Sequence, residues 1–552
     1  MFKLKLTHHI SEKLTNKNLR LVSFLVLPFI VVAKQGIAAE GQFQLPSLEP
    51  VDSTNSTLSQ QVKVFIRSIR FTGASLLSRQ QLQKLSAPYI GRLVSMDELQ
   101  KLRQQISQAY VELGYITSSA LLPDQKVVNG EITFAVIEGS LKQIQVDGID
   151  QLNSRYVTRQ FSSLANRPLN LSEVQEKLLL LKQDPLINKV DAELKPGEAM
   201  GTSILALVVE ENEPFQLQAA INNYRSPSIG AEQLELKMSY SSLTGWGDKL
   251  SGQVNKTQGL DEAILHYLLP VSASTDLLAG YQRGESEVIE EPFNAIDVES
   301  EFHDAILGVR FNIDKQLSSH LTTSFTLQQR ESKTFLFGEP FSFSEGVQDG
   351  VSKVSVLRWT TNWLKRSDHQ AYSLTSTFSQ GLDTLNATIN EQGPDGRFTT
   401  WLGQFQYALR FDDQQNELLF RYDIKLSNKP LLPLEKLAMG GSQTVRGYRE
   451  NSLIADQGMI GSLEYRFGIF HNLVDWGSLQ AALYADYGVA DNKGANNIRP
   501  KPLSSLGAGL IWKLGTHFSA HLNAAKALRT LHNEEYNIQD SGIHLELAYK
   551  LH

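Results

Sequence analysis

The alternation of apolar and polar residues along the last three-fifths of the chain most restricts the folds open to it. From Trp401 to Phe411 the odd-numbered positions hold aromatic, aliphatic or glycine residues, and the even-numbered positions include glutamines and an arginine. Successive side chains of a β-strand point to opposite faces, so this segment predicts a strand with one apolar and one polar face. A soluble sandwich shows the same alternation, but strands of about ten residues with aromatics opposite charges are typical of a transmembrane β-barrel.

The region at 214–552 is long enough for a large barrel. At about 20 residues per strand and connection, it predicts about 16 antiparallel strands. A charge in the middle of a lipid-facing row would cost about 2–4 kcal/mol, and the charges of the clearest strands keep to the other row. Short and long turns on opposite rims are typical of outer-membrane barrels. Long connections are expected at 284–303, 332–350, 382–398, 428–456 and 490–501, with short turns such as 272–275 and 367–369 between them.

The N-terminal segment predicts export. Basic residues precede an apolar run from Leu21 to Ala33, and small residues follow up to Ala39. This order is typical of a signal peptide, and the run is shorter than the ~20 residues that a membrane-spanning helix needs. We therefore predict a signal peptide at 1–39 and a proline-containing polar linker at 40–61.

The segments 62–138 and 139–213 predict two small domains with the same order of elements, β-α-α-β-β. In the first, Ser95 stands three residues before Glu98, which is the capping-box spacing. Each domain would pack two helices on one face of a small sheet, whose open edge can bind an extended peptide. The alternative is a spacer whose edge is blunted by charge. The expected elements are a helix from Ser95 to Leu113, strands at 115–122 and 131–137, helices at 153–164 and 172–183, and strands at 187–194 and 204–209.

The composition excludes several classes of function. The chain has no cysteine, which excludes disulfides, thiolate metal sites and thiol nucleophiles. Its formal net charge of -7 argues against general nucleic-acid binding. His517 and His521 fall on one face of a predicted strand, and the histidines show no metal-binding spacing. We therefore predict that the protein is not an enzyme and binds no metal, no cofactor and no nucleic acid.

The longest connection, 428–456, carries a motif that an ordinary polar loop would not need. It contains Val445, Arg446, Gly447 and Tyr448 in succession. If this loop folds inward, the arginine needs a partner. The parity of a later strand places Asp486 on its polar, lumen-facing row. The sequence predicts an ion pair between Arg446 and Asp486, because an arginine–carboxylate pair is directional and bidentate.

At these residues the sequence resembles the outer-membrane transporters of two-partner secretion, the hemolysin and filamentous-hemagglutinin exporters of the BamA-like superfamily. The resemblance rests on the Val445–Tyr448 tetrad, the strand from Gly461 to Phe467, the Asp486-x-Gly488 motif and the two repeats, which resemble POTRA domains. It implies POTRA 1 at 62–138, POTRA 2 at 139–213, and a barrel at 214–552 whose loop 428–456 enters the lumen. It also implies that Arg446 meets Asp486.

The same resemblance implies a location and partners. The barrel would lie in the outer membrane of a Gram-negative-type bacterium, in contact with its lipid, with the POTRA domains in the periplasm. The partners would be a large secreted protein bound by the POTRA domains and, during biogenesis, the barrel assembly machinery. Two departures from the family pattern are expected. The residues before Val62 are few and contain prolines, which argues against a helical plug, and the ending from Tyr549 to His552 means that either the assembly signal is atypical or His552 is an extra residue.

Two other functions compete with export of a partner. A barrel assembly factor of the same superfamily would use the junction of the first and last strands to template new strands, although such relatives often carry more POTRA units. A passive porin would need no POTRA repeats. The sequence therefore favours a protein-secretion pore without ATP-binding machinery, since it contains no P-loop.

Overall fold

The structure, a computed structural model, describes residues 63–411, 416–473, 476–494, 502–529, 531 and 537–551. The predicted signal peptide, linker and absence of a plug helix concern residues outside the described ones, as does His552. Within the described residues the chain separates into two compact units, the first ending at Glu211 and the second beginning at Asn212.

The first unit begins with a repeat in which two helices pack on a three-stranded sheet. Its elements are β1 (Val64–Phe65), β2 (Ser68–Thr72), α1 (Arg79–Ser86), β3 (Leu93–Val94), α2 (Met96–Glu112), β4 (Ser119–Leu121) and β5 (Glu131–Ile137). The sheet has the order β2–β5–β4, with β2 parallel and β4 antiparallel to β5. Its core joins Leu102 and Ile106 of α2 to Phe134 of β5.

Helix α2 forms where the capping spacing predicts it. Ser95 Oγ accepts the Glu98 N–H at 3.3 Å, and the Ser95 N–H donates to Glu98 Oε2 at 2.8 Å. The Ser95 N–H and the Arg92 guanidinium lower the pKa of the Glu98 carboxyl to about 2. The strand predicted at 115–122 is shorter, because a turn in which the Ser118 N–H donates to Tyr115 O delays it.

The second repeat has the same order of elements. They are β6 (Ser140–Asp147), α3 (Ser154–Thr158), α4 (Leu171–Lys182), β7 (Ile187–Pro196) and β8 (Thr202–Glu211). The sheet has the order β6–β8–β7, with β6 parallel to β8. The helix predicted at 153–164 is α-helical only to Thr158 and continues as a 3-10 helix, Arg159–Leu164. Phe161 of that turn is fully buried, so the tighter winding seats its ring in the core.

The second unit is a closed antiparallel barrel of 16 strands, which confirms the predicted fold class. The strands are β9 (Phe215–Asn222), β10 (Gln233–Ser241), β11 (Lys249–Lys256), β12 (Leu260–Pro270), β13 (Thr275–Glu287), β14 (Val298–Lys315), β15 (Ser319–Leu336), β17 (Val351–Arg366), β18 (Gln370–Leu382), β19 (Thr399–Arg410), β20 (Glu417–Ser427), β23 (Gln457–Leu473), β24 (Gly477–Asp491), β25 (Leu503–Leu514), β26 (Phe518–Ala527) and β27 (Ile543–Lys550). Three short strands are not part of this count. β16 (Glu339–Pro340) folds back on β15, and β21 (Leu437–Met439) and β22 (Leu453–Ala455) pair with each other within the connection between β20 and β23. Each strand pairs with its sequence neighbours, and β27 closes on β9.

The two faces of the wall differ as the alternation predicts. Leu307, Leu483 and Leu506 are exposed on the outside, whereas Glu464 and Asp486 are buried on the inside. An apolar outer face and a polar bore suit lipid outside and water within. Among the described helices, none is both long and apolar enough to cross a membrane.

Two of the expected long connections are shorter than predicted, because the strands extend into polar sequence. The connection predicted at 284–303 spans 288–297, since β13 and β14 remain paired as far as Glu287 and Glu299. Likewise β15 continues to Leu336, beyond the boundary predicted at 332. Beyond the apolar band both faces of a strand meet water, so a polar stretch there does not mark the end of the strand.

Candidate functional site

The connection between β20 and β23 enters the bore. It contains a small hairpin of β21 (Leu437–Met439) and β22 (Leu453–Ala455), with the Val445–Tyr448 tetrad at its tip. Its residues contact inward-facing groups of β15, β17 and β20 on one side and of β23, β24 and β25 on the other. We call the segment 428–456 the lumen loop.

The structure brings Arg446 and Asp486 together in the bore. The Arg446 guanidinium donates from Nε to Asp486 Oδ2 and from Nη2 to Asp486 Oδ1, both at 2.8 Å. The Arg446 backbone N–H donates to the same carboxylate at 3.0 Å. Arg446 is 8% exposed and Asp486 is 3% exposed. Breaking one side of such a buried pair costs about 3–5 kcal/mol, because the remaining charge stays desolvated.

Three further residues complete the arginine's surroundings, and the sequence reasoning did not assign them this role. Glu464 Oε2 accepts from Arg446 Nη1 at 2.5 Å, and Ser462 Oγ accepts from Nη2 at 3.1 Å. The ring of Tyr484 lies under the guanidinium, with 3.3 Å between Cζ and the ring centroid.

The strand register explains how these groups converge on Arg446. Ser462 pairs with Asp486 and Glu464 pairs with Tyr484 in the β23–β24 ladder, with one outward-facing pair between them, so two alternate pairs present four side chains to the bore. Their common inward parity was visible in the sequence. Their pairing was not, because it depends on the register between two strands.

The other residues of the two motifs fit the loop tip against the wall. Val445 is fully buried in an apolar cluster with Met439 and Ile460. The Tyr448 hydroxyl donates to Ser504 O at 2.9 Å. A Cβ on Gly488 would lie 2.9 Å from Val445 Cγ2, so a side chain at this position would push the tip off the wall. Val445, Tyr448 and Gly488 therefore fit the loop tip to the wall by packing and a hydrogen bond, in addition to the ion pairs of Arg446.

Gly447 has a backbone conformation that the tip requires. Its φ is +89°, and a Cβ there would lie 3.0 Å from Ala525. Only glycine adopts this conformation readily and also leaves room for the neighbouring strand.

The base of the lumen loop has its own ionic anchor. Glu435 Oε1 accepts from Arg330 Nη1 at 3.1 Å and from Arg358 Nη2 at 2.7 Å. The Lys425 ammonium donates to the Glu435 carbonyl oxygen. Glu435 is 3% exposed, so this acid is desolvated, whereas the side chains of Arg330 and Arg358 on the wall are partly exposed.

The part of the lumen loop that directly follows the tetrad is held by a third set of ion pairs, made by Arg449. Arg449 Nη1 donates to Glu290 Oε1 at 2.6 Å, and Arg449 Nη2 donates to Asp540 Oδ2 at 2.7 Å. Glu290 belongs to the connection between β13 and β14, and Asp540 to the connection between β26 and β27. The loop is therefore tied to other connections as well as to the wall.

The arrangement is a set of ion pairs and hydrogen bonds between a loop in the bore and the surrounding wall. In the described part of the chain, no group of three or more metal-binding side chains is close enough to hold an ion. Arg446 and Glu435 form their ion pairs across the contact between the lumen loop and the wall. The fold and this site together define a transmembrane β-barrel whose channel is occupied by its own loop.

Comparison with known proteins places the chain in a family. Residues 201–511 match the family described as haemolysin secretion/activation protein ShlB/FhaC/HecB, and residues 64–139 match the ShlB-type POTRA domain. The first match covers more than half of the chain, and the chain belongs to the ShlB/FhaC/HecB family. The recognition made from the tetrad and the repeats is confirmed.

Individual relatives are similar over most of their length. The heme/hemopexin transporter protein HuxB of Haemophilus influenzae is 24% identical over 81% of this chain and 80% of its own. The outer membrane transporter CdiB of Escherichia coli is 24% identical over 77% of this chain and 72% of its own. The solved structure of CdiB from Escherichia coli has the same fold, with a TM-score of 0.67 at 20% identity over 91% of this chain and 93% of that one.

These relationships confirm the predicted class and location. The protein is an outer-membrane transporter of the two-partner secretion type, with its POTRA region in the periplasm. Members of the family are transporters and not enzymes.

Proposed function

We propose that this transporter passes one large partner protein from the periplasm to the cell surface through its bore, and that the lumen loop is the movable barrier that closes the bore at rest. The observation that carries the proposal is the anchoring of the loop tip in the bore by Arg446, Asp486 and Glu464. The chain would act on an unfolded partner, because a barrel of 16 strands leaves an aqueous channel for an extended polypeptide once the loop has moved. Arg446 and Asp486 would hold the resting position and would not catalyse a reaction.

We further propose that the partner binds the POTRA region by adding a strand to the edge formed by β6. In the described residues β7 and β6 are the outer strands of the second sheet. The edge strand β7 carries two ion pairs between its own residues, Lys189 with Asp191 and Lys195 with Glu193. Such charges discourage strand addition, so β6 is the better edge for an extended peptide beyond its first two residues, which already bridge to Pro168 and Ala165.

A photo-crosslinking experiment distinguishes these two edges. Gln145 of β6 and Lys189 of β7 are both exposed on outer strands of the same sheet, so they form a matched pair. A photoreactive amino acid at position 145 should capture the partner during secretion, and the same amino acid at position 189 should not. Equal capture at both positions would contradict recognition through the β6 edge.

Directionality would come from the partner itself. The sequence contains no P-loop, and the family resemblance implies a periplasm without ATP, so we do not assign the driving force to ATP hydrolysis. Folding of the partner at the cell surface removes the translocating state, and mass action then draws the rest of the chain outward. The partner would be a large hemolysin-like or adhesin-like protein.

The central test is substitution of Arg446 in the full chain. Arg446→Ala should reduce the amount of partner at the surface while the barrel still assembles, because the residue holds the loop and is not part of the wall ladder. The matched control is Arg310→Ala, which removes an arginine paired with Asp276 between neighbouring wall strands at 2.8 Å. Equal secretion by Arg446→Ala and the unaltered protein would remove the lumen loop from the mechanism.

Depletion of the protein addresses the alternative of a barrel assembly factor. Loss of one large surface protein is the result expected for a dedicated exporter. Loss of many outer-membrane barrels would instead assign the chain to barrel assembly.

A further inference from the structure

Among the 16 wall strands, as far as the structure describes them, the first and the last form the shortest ladder. Strands β9 and β27 pair over five residues, from Gln218–Lys550 to Asn222–Glu546, whereas β26 and β27 pair over seven. We call the β9–β27 ladder the seam. Backbone bonds extend it by one step at each end, from Asn223 N–H to Leu545 O and from Leu551 N–H to Leu217 O. Strand pairing therefore holds the seam over fewer residues than any other join between the described wall strands.

A side chain continues the seam where the strand pairing ends. Asn223 Nδ2 donates to Ile543 O at 2.9 Å, and the Leu545 N–H donates to Asn223 Oδ1 at 2.7 Å. Asn223 is 3% exposed. Its amide therefore replaces the next rung of the ladder at the end of β27.

One buried glutamine connects this rung to the lumen loop. Gln539 lies in a 3-10 turn, Ile538–Ser541, just before β27, and it is fully buried. Its Nε2 donates to the carbonyl oxygens of Asn223 and Arg225, both at 2.7 Å. Its Oε1 accepts the backbone N–H of Glu450 at 3.0 Å. A single amide thus binds both the end of the first strand and the lumen loop.

Two neighbouring contacts bind the same turn to the loop. Asp540 pairs with Arg449, and a Cβ on Gly542 would lie 3.2 Å from the Cα of Gly447. The loop tip and the turn at 538–541 are therefore packed and paired as one body. Withdrawal of the loop would leave the buried Oε1 of Gln539 without the Glu450 N–H and the Asp540 carboxylate without Arg449, which is costly in a desolvated site.

We propose that Gln539 couples the position of the lumen loop to the closure of the seam. With the loop in the bore, Gln539 is fixed and clamps Asn223 onto β27. With the loop withdrawn, the turn is released, and the end of the seam nearest Asn222 loses its clamp. Gln539 is a positioning residue in this scheme. The inference rests on the proposed movement of the lumen loop.

Amide hydrogen exchange in the full chain, embedded in lipid, tests the coupling without any partner protein. The readout is the exchange of peptides covering 215–223 and 543–550. Gln539→Glu keeps an acceptor for the Glu450 N–H but replaces the donor that faces Asn223 O. It should raise seam exchange about tenfold. Arg446→Ala should raise seam exchange in the unaltered background and add nothing in the Gln539→Glu background.

The matched control is another glutamine that bridges two connections. Gln348 Nε2 donates to Ile389 O at 3.2 Å and to Asn390 Oδ1 at 2.6 Å. Gln348→Ala should leave the rate of amide hydrogen exchange in the seam peptides unchanged. If Gln539→Glu fails to assemble, Gln539→Met supplies a neutral side chain of similar length, and heat-modifiable migration reports assembly in each case.

Three results would overturn the coupling. They are normal seam exchange in the Gln539 variants, normal seam exchange in Arg446→Ala, and equal effects of Arg446→Ala in both backgrounds. Secretion is scored separately. Unchanged secretion by Arg446→Ala contradicts the proposed function, whereas an unaffected seam contradicts only the coupling.

Discussion

Removing the charge of Asp486 while keeping its shape tests how firmly the lumen loop is held. Asp486 accepts from Arg446 at three positions, 2.8, 2.8 and 3.0 Å away, and from Ser462 Oγ at 2.6 Å. Asp486→Asn replaces one carboxylate oxygen by an NH2 group, which donates and does not accept. At least one N–H of Arg446 therefore loses its acceptor. Breaking a buried ion pair costs about 3–5 kcal/mol.

The lower end of that range applies to Asp486→Asn. Glu464 still accepts from Arg446 Nη1 and still neutralises the guanidinium. A loss of about 3 kcal/mol would shift the ratio of anchored to released loop about a hundredfold, since each 1.4 kcal/mol is a factor of ten. Adding Glu464→Gln should also remove the second carboxylate that faces Arg446 and shift the ratio of anchored to released loop further.

Single-channel recording in planar bilayers measures this shift as the fraction of time spent in states of high conductance. Asp486→Asn should increase that fraction strongly. Asp276→Asn is the control, because Asp276 pairs with Arg310 between neighbouring wall strands at 2.8 Å. Equal traces for Asp486→Asn and the unaltered protein would refute the reasoning that this pair holds the loop.

Three further substitutions or conditions test separate parts of the structure. Glu435→Gln should weaken the base of the lumen loop by about 1–3 kcal/mol, since each hydrogen bond to a charged group contributes about 1.5–3 kcal/mol and some bonds persist; limited proteolysis within 428–456 should become faster. Gly447→Ala should strain the tip by about 1–3 kcal/mol, because alanine disfavours a φ of +89°; channel noise should rise while heat-modifiable migration stays normal. The pKa of Glu98 falls from its ordinary 4.5 to about 2 in the folded chain. Its stabilisation of α2 is therefore complete above about pH 5 and is lost as the pH falls through 4.5 toward 2. Amide exchange of residues 96–112, corrected for its intrinsic pH dependence, should rise over that window, and a flat profile would contradict the role of Glu98 in the cap.

The local elements were predictable because their signals are local. The spacing of Ser95 and Glu98 is sufficient to place the start of α2, and alternation is sufficient to place strands such as β19. The pairing of Arg446 with Asp486 could be anticipated from parity and charge. Alternation along the strands predicted that Glu464 and Tyr484 face inward, together with many other residues. Their contact with Arg446 depends on the register between β23 and β24, which alternation does not give.

The anchors at Glu435, Arg449 and Gln539 were beyond sequence reasoning for a different reason. Glu435 meets Arg330, which is 105 residues away in the chain, and Arg449 meets Glu290 over a separation of 159 residues. Such contacts depend on how the loop crosses the bore, and no short-range pattern encodes that path. The strand ends were misplaced for a related reason, since polar sequence in a barrel marks the edge of the membrane and not the end of the strand.

The choice of ion pairs over an apolar contact at the loop tip fits a barrier that must release. A buried ion pair gains Coulomb energy but loses hydration of both charges, so its net contribution is small while its geometric demand is strict. Arg446 in the bore is therefore held in one position by Asp486 and Glu464. On withdrawal into water the same groups regain hydration, which lowers the free energy of the released state. A tip seated only on apolar groups such as Val445 would expose those groups on release and would resist withdrawal more strongly. The charged tip thus defines a single resting position without making departure from it prohibitive.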